Sequence, residues 1–491
     1  MKVLCRSYDL DDAAGCGAAM RLLADSLRAR GDEVLATAEA LDLAAVGDWQ
    51  PDVIVAHQWA TREAGRWAAA LRKPFVMLVH GPGQYEQFMA PCDLVLFQTA
   101  ALLALAEPSL GPTPARVLRG GEPEDADAIR TELAALAVQG RRRQTLTVCM
   151  TVANEAPTLE QAIDSVAAVA DAIVIGVDAR SKDETLAIAQ RRATRWFVFE
   201  EDAPPDFPRM RNRALSLVET DWALVLDGHE WIEHADLIPD ALHTDAWSIE
   251  IQTLYEPDAQ RVPGLAFPFP RLHRRHVRFT GAPAHEEVNT PMERRVLRAD
   301  IHVWHERKPG AAAATRQAEK GGAELETLRA AWDHGGDRRA LFYLANGLRE
   351  AQRYDEAVAA YDTYLERPNF AEEGWQARLY LARCHAGRGD WPAARRQFET
   401  AVAEAPERAE GAVGLGHTLL AAGDAARAAA WFRMATALPQ PTLCRLFVEV
   451  PVYRWGAWHG LALALRALGD AGGADAAEAR AVAGGRAPAG A

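Results

Sequence analysis

Four apolar runs in the middle of the chain each stop at side chains able to do chemistry. Leu146–Val152 passes through Thr151 into Ala153-Asn154-Glu155; Ala172–Val177 ends at Asp178, with Ser181-Lys182-Asp183-Glu184 close behind. Arg195–Phe199 precedes Arg209, Arg211 and Arg213, and Trp222–Leu226 opens on Asp227-Gly228-His229-Glu230. Short apolar runs of this kind read as strands, and the helical spacing after them gives strand, polar turn and helix in succession. Parallel strands of an open α/β sheet deliver such turns to one edge, where ligands bind. Ser181 with Glu184 reads as a capping box for the helix that follows. A later group, His285-Glu286-Glu287 and the pair His302 and His305, adds imidazoles and carboxylates.

The elements around these residues divide the chain into three parts. Residues 1–120 alternate short apolar runs (Lys2–Cys5, Val53–Ala56, Phe75–Val79, Leu94–Phe97) with helical patterns, which predicts βαβ units and a Rossmann-like parallel sheet. Gly15-Cys16-Gly17 and His80-Gly81-Pro82-Gly83 could present backbone N–H groups to an anion, although the first lacks the third glycine of a dinucleotide loop and reads better as tight packing. Residues 121–143 read as a helical linker whose Arg141-Arg142-Arg143 run is a solvated stretch, 144–310 as the domain with the chemistry, and 311–334 as a second helical linker. From 335 to 480 alanine-rich helix pairs recur, with Gly389-Asp390 and Gly423-Asp424 separated by 34 residues (423 − 389), before a flexible tail at 481–491. Pairs that cannot bury their apolar faces alone stack into a solenoid with a concave surface.

A chain of 491 residues is too long for one core, and 49% hydrophobic with 25% charged residues is ordinary for folded domains. A net charge of -14 excludes the concentrated basic surface that nucleic acid requires. Six cysteines without a Cys-x-x-Cys pair fit reduced thiols and a cytoplasmic protein, and no apolar run is long enough to make a transmembrane segment.

The middle motifs carry a specific resemblance. Cys149-Met150-Thr151-Val152-Ala153-Asn154-Glu155, Val177-Asp178-Ala179-Arg180-Ser181-Lys182-Asp183-Glu184-Thr185, Arg211-Asn212 and Asp227-Gly228-His229-Glu230, in this order, resemble the family 2, GT-A-type glycosyltransferases. Arg271-Leu272-His273-Arg274, Val277-Arg278-Phe279-Thr280-Gly281, Ala284-His285-Glu286-Glu287-Val288 and Ile301-His302-Val303-Trp304-His305 continue it. The repeats resemble tetratricopeptide repeats, and residues 1–120 resemble the N-terminal half of GT-B-type glycosyltransferases through Pro51–His57 and Phe75–Gly81.

The fold expected is thus α/β plus all-α: a Rossmann-like domain, a GT-A nucleotide-sugar-binding domain and a helical solenoid. The resemblance implies an inverting transfer, of hexosyl or N-acetylhexosaminyl type, from a nucleotide-diphosphate sugar, UDP-sugar foremost, to a glycan, lipid-linked or peptide/protein acceptor. Thr151, Asn154, Glu155, Asp178, Arg211 and His285 would bind the donor. Asp227, His229 and His305 would hold a divalent metal, with His302 expected on the same face of the strand as His305. The second acidic position of the family's D-x-D element is His229 here; imidazole suits Mn2+ better than Mg2+, and Glu230 would assist it. Removing the acceptor's proton needs a carboxylate, for which Glu286 and its neighbour Glu287 are the candidates. Trp304 is expected in the core, and the repeats could bind a protein or peptide partner. The competing expectation is a non-catalytic adaptor whose glycosyltransferase domain has degenerated.

Overall fold

The computed structural model describes residues 1–486 apart from 8–9, 11–15, 40, 58–59, 80–91, 98–99, 111, 118–122, 201–205, 258–261, 282–286, 306–310 and 443. The first region is a six-stranded sheet in the order β2-β1-β3-β4-β5-β6, parallel throughout, formed by β1 (Lys2–Arg6), β2 (Glu33–Thr37), β3 (Val53–His57), β4 (Phe75–Val79), β5 (Leu94–Phe97) and β6 (Ala115–Val117). Helices α1 (Cys16–Ala29), α2 (Leu43–Trp49), α3 (Thr61–Leu71), α4 (Ala100–Leu110) and α5 (Pro123–Gln139) accompany it. Every residue of β3, β4 and β5 is buried, as expected where helices cover both faces of a parallel sheet. Gly15 and the His80–Gly83 turn lie outside the described residues.

The second region is built on an eight-stranded mixed sheet in the order β11-β16-β12-β13-β10-β7-β8-β9. Its parallel half is β7 (Leu146–Val152), β8 (Ala172–Asp178), β9 (Arg195–Phe199) and β10 (Trp222–Val225), with α6 (Ala156–Asp164), α7 (Thr185–Arg192) and α8 (Phe207–Leu215) following the first three strands. The other half contains β11 (Glu230–Glu233), the long antiparallel pair β12 (Ser248–Pro257) and β13 (Pro263–Arg274), and β16 (Arg295–His305), with α9 (Ile238–Ala241) between β11 and β12. A short ribbon of β14 (Phe279–Thr280) and β15 (Glu287–Val288) lies apart from the sheet.

The arginine run between these regions is solvated only at Arg143, whose side chain is 64% exposed; its first two members are covered. Arg141 and Arg142 keep 6% and 16% of their side chains exposed. Arg142 makes a bidentate pair with Asp221 at 2.6 and 2.7 Å and donates to the Cys92 carbonyl, while its own N–H donates to Asp93. Arg274, stacked 4.0 Å from the Trp222 ring, donates to Gln144 and to the Thr244 and Ala246 carbonyls. A charge leaves water at this depth only where hydrogen bonds replace its hydration, and these bonds tie the first sheet to the second.

The third region stacks helix pairs: α10 (Ala311–Gly335) leads into α11 (Arg338–Glu350) and α12 (Tyr354–Leu365), α13 (Ala371–Gly387) and α14 (Trp391–Glu404), α15 (Ala409–Ala421) and α16 (Ala425–Thr436), then α17 (Ala457–Ala467) and α18 (Ala471–Ala483). Gly389, Gly423 and Gly469 close the first helices at φ +77°, +81° and +79°, and Asp390, Asp424 and Asp470 then cap α14, α16 and α18 by accepting from Ala393, Arg427 and Gly473 N–H. A left-handed glycine followed by an N-capping aspartate turns one helix sharply into the next. The first helices of successive pairs touch one another, so α11, α13, α15 and α17 form the inner, concave side.

Candidate active site at the strand ends

The turn after β10 is closed at both ends. Glu230 N–H donates to the Asp227 carbonyl at 3.0 Å, and Asp227 N–H donates to the Glu230 carboxylate at 3.0 Å. A Cβ at Gly228 would meet Val152 at 2.8 Å and Glu155 at 3.0 Å, so glycine alone lets this turn lie against the end of β7. Across that contact His229 Nδ1 lies 3.2 Å from Glu155 Oε1.

The neighbouring turns interlock in the same way. Asn154, at φ +53°, accepts from Lys182 N–H at 2.9 Å, and its own N–H donates to Ser181 Oγ at 3.3 Å. Glu155 N–H donates to Thr185 Oγ1. Ser181 therefore binds the β7 turn and does not cap α7: Glu184 is the N-cap residue there and makes no side-chain cap bond. Asp178, 3% exposed, accepts from the Arg180 backbone at 2.8 Å and from its guanidinium at 3.1 and 2.7 Å. Arg211 on α8 approaches Asp227 at 3.4 Å and lies over the Phe279 ring at 5.4 Å. Asn154, Glu155, Arg211, Asp227 and His229 thus belong to contacts that join the ends of β7, β8 and β10, with Thr151 and Asp178 on the strands beneath.

Glu230 anchors the other side. It is 1% exposed and takes Arg271 in a bidentate pair at 2.7 and 2.8 Å, with His305 Nδ1 at 3.1 Å. Burial by itself would raise its pKa, but Arg271, His305 and the Asp227 N–H outweigh burial and hold the carboxyl well below the usual carboxylate range. Its oxygens are committed to these partners and not to assisting His229. For His229, burial acts downward, while the bond to Glu155 and the charges of Asp227, Glu155 and Glu230 act upward and prevail.

His229 and His305 lie ring to ring at 4.5 Å, edge on, and Tyr255 stacks on His305 at 4.3 Å. Each histidine turns Nδ1 toward a carboxylate, and among the described residues neither Nε2 has a hydrogen-bond partner. A carboxylate on one ring nitrogen fixes the tautomer and leaves the other lone pair for a metal, so the donor set fits a divalent ion. Their ligand atoms and those of Asp227 do not all converge within 4.8 Å; among the described residues the trio that does is Glu233, His234 and His302. That trio sits at the other end of the β11–β16 pairing, where His302 faces Glu233. His302 and His305 are three positions apart, so alternation puts them on opposite faces of β16, contrary to the sequence expectation. Trp304 is 7% exposed, stacks on Trp231 and donates to Glu233.

His285 and Glu286 lie outside the described residues. Glu287, on β15, is half exposed and pairs with Arg339 of α11 at 2.9 Å, which brings the repeats against the segment proposed for proton transfer. Tyr255 and the Glu155–His229 contact escaped sequence reasoning, because both depend on pairing between strands distant in the chain.

Residues 147–243 match the family described as Glycosyl transferase family 2, and residues 344–394 and 381–440 match the family described as Tetratricopeptide repeat. The chain therefore carries a glycosyl transferase family 2 domain followed by tetratricopeptide repeats. Such a domain supports glycosyltransferase activity in general and implies a nucleotide-sugar donor, and its family generally uses a divalent metal; the repeats suggest protein partners. A TPR repeat-containing protein of Synechococcus elongatus is 31% identical over 114 residues, which are 23% of this chain and 25% of that protein, so the chain spans about a quarter of the curated relative it matches. Among solved structures, MamA covers 36% of this chain and 95% of its own at 13% identity and TM-score 0.29. BtubC from P. vanneervenii covers 36% and 80% at 19% identity and TM-score 0.30. Among the described residues no helix is long and apolar enough to cross a membrane.

Proposed function

We propose that the chain is an inverting glycosyltransferase of hexosyl or N-acetylhexosaminyl type that uses a UDP-sugar and Mn2+ and works in the cytoplasm. One observation carries this reading: His229, oriented by Glu155, and His305, oriented by Glu230, lie ring to ring, with His229 in the same strand-end turn as Asp227, which Arg211 approaches. Asp227, His229 and His305 would hold the ion, which supplies counter-charge to the departing diphosphate oxygens when bound. Asp178 contacts the nucleoside, Thr151, Asn154 and Glu155 line its pocket, and Arg211 neutralises the diphosphate. Glu286, with Glu287 beside it, takes the acceptor's proton, and His285 orients that carboxylate or touches phosphate. Buried free thiols at Cys5, Cys92, Cys149 and Cys384 support a reducing compartment.

The test is slow hydrolysis of UDP-hexoses and UDP-N-acetylhexosamines by the purified chain with and without Mn2+. Mn2+-dependent release of UDP that Asp227→Asn abolishes is the expected result. A chain that neither binds nor hydrolyses any nucleotide sugar sinks the reading and leaves the adaptor.

A further inference from the structure

The solenoid breaks its own period. Its capping aspartates Asp390 and Asp424 are 34 residues apart (424 − 390), but Asp424 and Asp470 are 46 apart (470 − 424), so one repeat carries an insertion of 12 (46 − 34). The insertion falls between α16 and α17, and it returns across α13 and α15 as a non-helical run. Arg445 and Leu446 N–H donate to Glu372 at 3.1 Å, Arg408 donates to the Phe447 carbonyl at 2.9 Å, and Glu449 N–H donates to Glu410 at 3.3 Å. The Glu449 carboxylate takes Arg383 in a bidentate pair at 2.6 and 2.7 Å. Glu372 and Arg383 lie on α13 and Glu410 on α15, with Arg408 the N-cap residue of α15.

The groove side chains are themselves held in place. Glu410, 1% exposed, also accepts from the Tyr453 hydroxyl at 2.6 Å and from Arg408 at 2.8 and 3.1 Å. Arg408 lies over the Trp375 ring at 4.2 Å and 3.7 Å from Glu372, and Arg383 lies over Tyr380 at 5.6 Å. Burial by itself would raise the Glu449 pKa, but Arg383, then Arg349 and Arg408, outweigh burial and hold the carboxyl below its ordinary value, so the latch is an ion pair at neutral pH. The opposite side of the segment is fastened too. Val448 exchanges both backbone hydrogen bonds with Ala266 of β13, at 2.8 and 2.9 Å, and Val450 packs with Val262 and Ala266.

Side chains that read the main chain of a non-helical run recognise a peptide, and the peptide on this surface is the chain's own. We infer that the concave groove of α13 and α15 is a binding site for a peptide with an acidic side chain, and that residues 445–449 occupy it as an internal ligand that shuts it to peptides in trans. Tethered at both ends, this strap acts at a local concentration on the order of millimolar, so a free peptide making the same contacts has an apparent Kd no lower than that. A partner therefore enters only as the strap leaves, and the strap leaves only by breaking its bridge to β13 as well. The partner that fits is a non-helical peptide whose carboxylate takes Arg383 in place of Glu449. The groove's selectivity does not depend on sugar transfer, so failure of the transferase reading leaves it standing.

The experiment uses the full chain and a labelled, end-capped peptide of residues 445–450, with binding read by fluorescence anisotropy. In one variant residues 445–450 of the chain are replaced by a glycine-serine run of equal length, and a thermal melt establishes that it folds; where it does not, Glu449→Gln in the chain, which loosens the strap without removing it, takes its place. The peptide should bind the variant roughly tenfold or more tighter than it binds the wild-type chain. It should lose roughly tenfold in affinity when the peptide itself carries Glu449→Gln, and as much when Arg383→Met is added to the variant. No binding to the variant at roughly millimolar peptide, equal affinity for variant and wild type, or equal affinity of the two peptides overturns the inference. A second measurement needs no variant: in the wild-type chain the amides of Arg445, Leu446, Val448 and Glu449, each paired in the structure, should exchange hydrogen roughly a hundredfold or more slower than in the free peptide. Exchange at the free-peptide rate means that the strap does not fill the groove, and it overturns the inference equally.

Discussion

The antiparallel pair β11 and β16 carries the same residue types twice, on opposite faces. Glu230 opposes His305, and three positions on Glu233 opposes His302, with carboxylate-to-Nδ1 distances of 3.1 and 3.2 Å. The first pair is sealed, with Glu230 1% exposed and bound to Arg271; the second is open, with side chains 40% and 29% exposed. His302 also points Nε2 at the Ala299 carbonyl, 3.2 Å away, so both its nitrogens are engaged, whereas His305 keeps one for a ligand. Convergence of ligand atoms favours the outer trio, but a ring nitrogen left open on each of two carboxylate-backed imidazoles favours the inner set. The contrast teaches that a site is made by what stands behind the ligands, since the ligands themselves are duplicated.

The largest effect should come from the residue behind them. Glu230→Gln strips Arg271 of its counter-charge in a buried place and should cost about 3–5 kcal/mol, whereas Glu233→Gln at the exposed pair should cost about 1 kcal/mol or less. Denaturant unfolding of both variants measures this, and equal losses would erase the distinction between the faces. Next in size is chemistry: Asp227→Asn should slow Mn2+-dependent UDP-sugar hydrolysis roughly a hundredfold or more, and His302→Ala should leave it within roughly twofold. A smaller step tests the carboxylate behind His229: Glu155→Gln should weaken Mn2+ about ten- to a hundredfold, read by paramagnetic relaxation of water, with Glu233→Gln as the control. If the control weakens Mn2+ more, the outer trio is the metal centre.

How much of this was legible depends on the reach of each interaction. β4, β5 and β7 have the limits of their apolar runs residue for residue, because a buried strand is a local pattern bounded by turn residues. The turn at Asp227-Gly228-His229-Glu230 was legible too, and so was the 34-residue period. What the pattern withheld was every contact made across the chain: Glu155 beside His229, Tyr255 on His305, and Ser181 spent on the β7 turn. Arg143 is solvated as read, but Arg141 and Arg142 are not, because nothing local shows that Asp93 and Asp221 wait on either side of them. The insertion lay open in the sequence as the late return of Gly469-Asp470, but where it docks required the fold.

A third class of histidine sharpens the comparison with the smallest expected effect. His243, His273 and His276 have no carboxylate partner of the kind His229 and His305 have; burial first, then nearby arginines, pushes them down to about 4, 3 and 3. They are neutral in the folded chain, and the unfolded chain protonates near the ordinary histidine value. Below roughly pH 6.5 the unfolded state therefore binds more protons than the folded one, so stability falls as the pH is lowered from there toward about 4, by at most about 1.4 kcal/mol per pH unit for each group. His276→Gln should flatten this slope in urea unfolding followed at a series of pH values, and a slope unchanged by the substitution would mean that His276 is solvated and titrates normally. The sheet would then hold histidines of three kinds, and only those backed by a buried carboxylate combine a fixed ring with a nitrogen left for the ion.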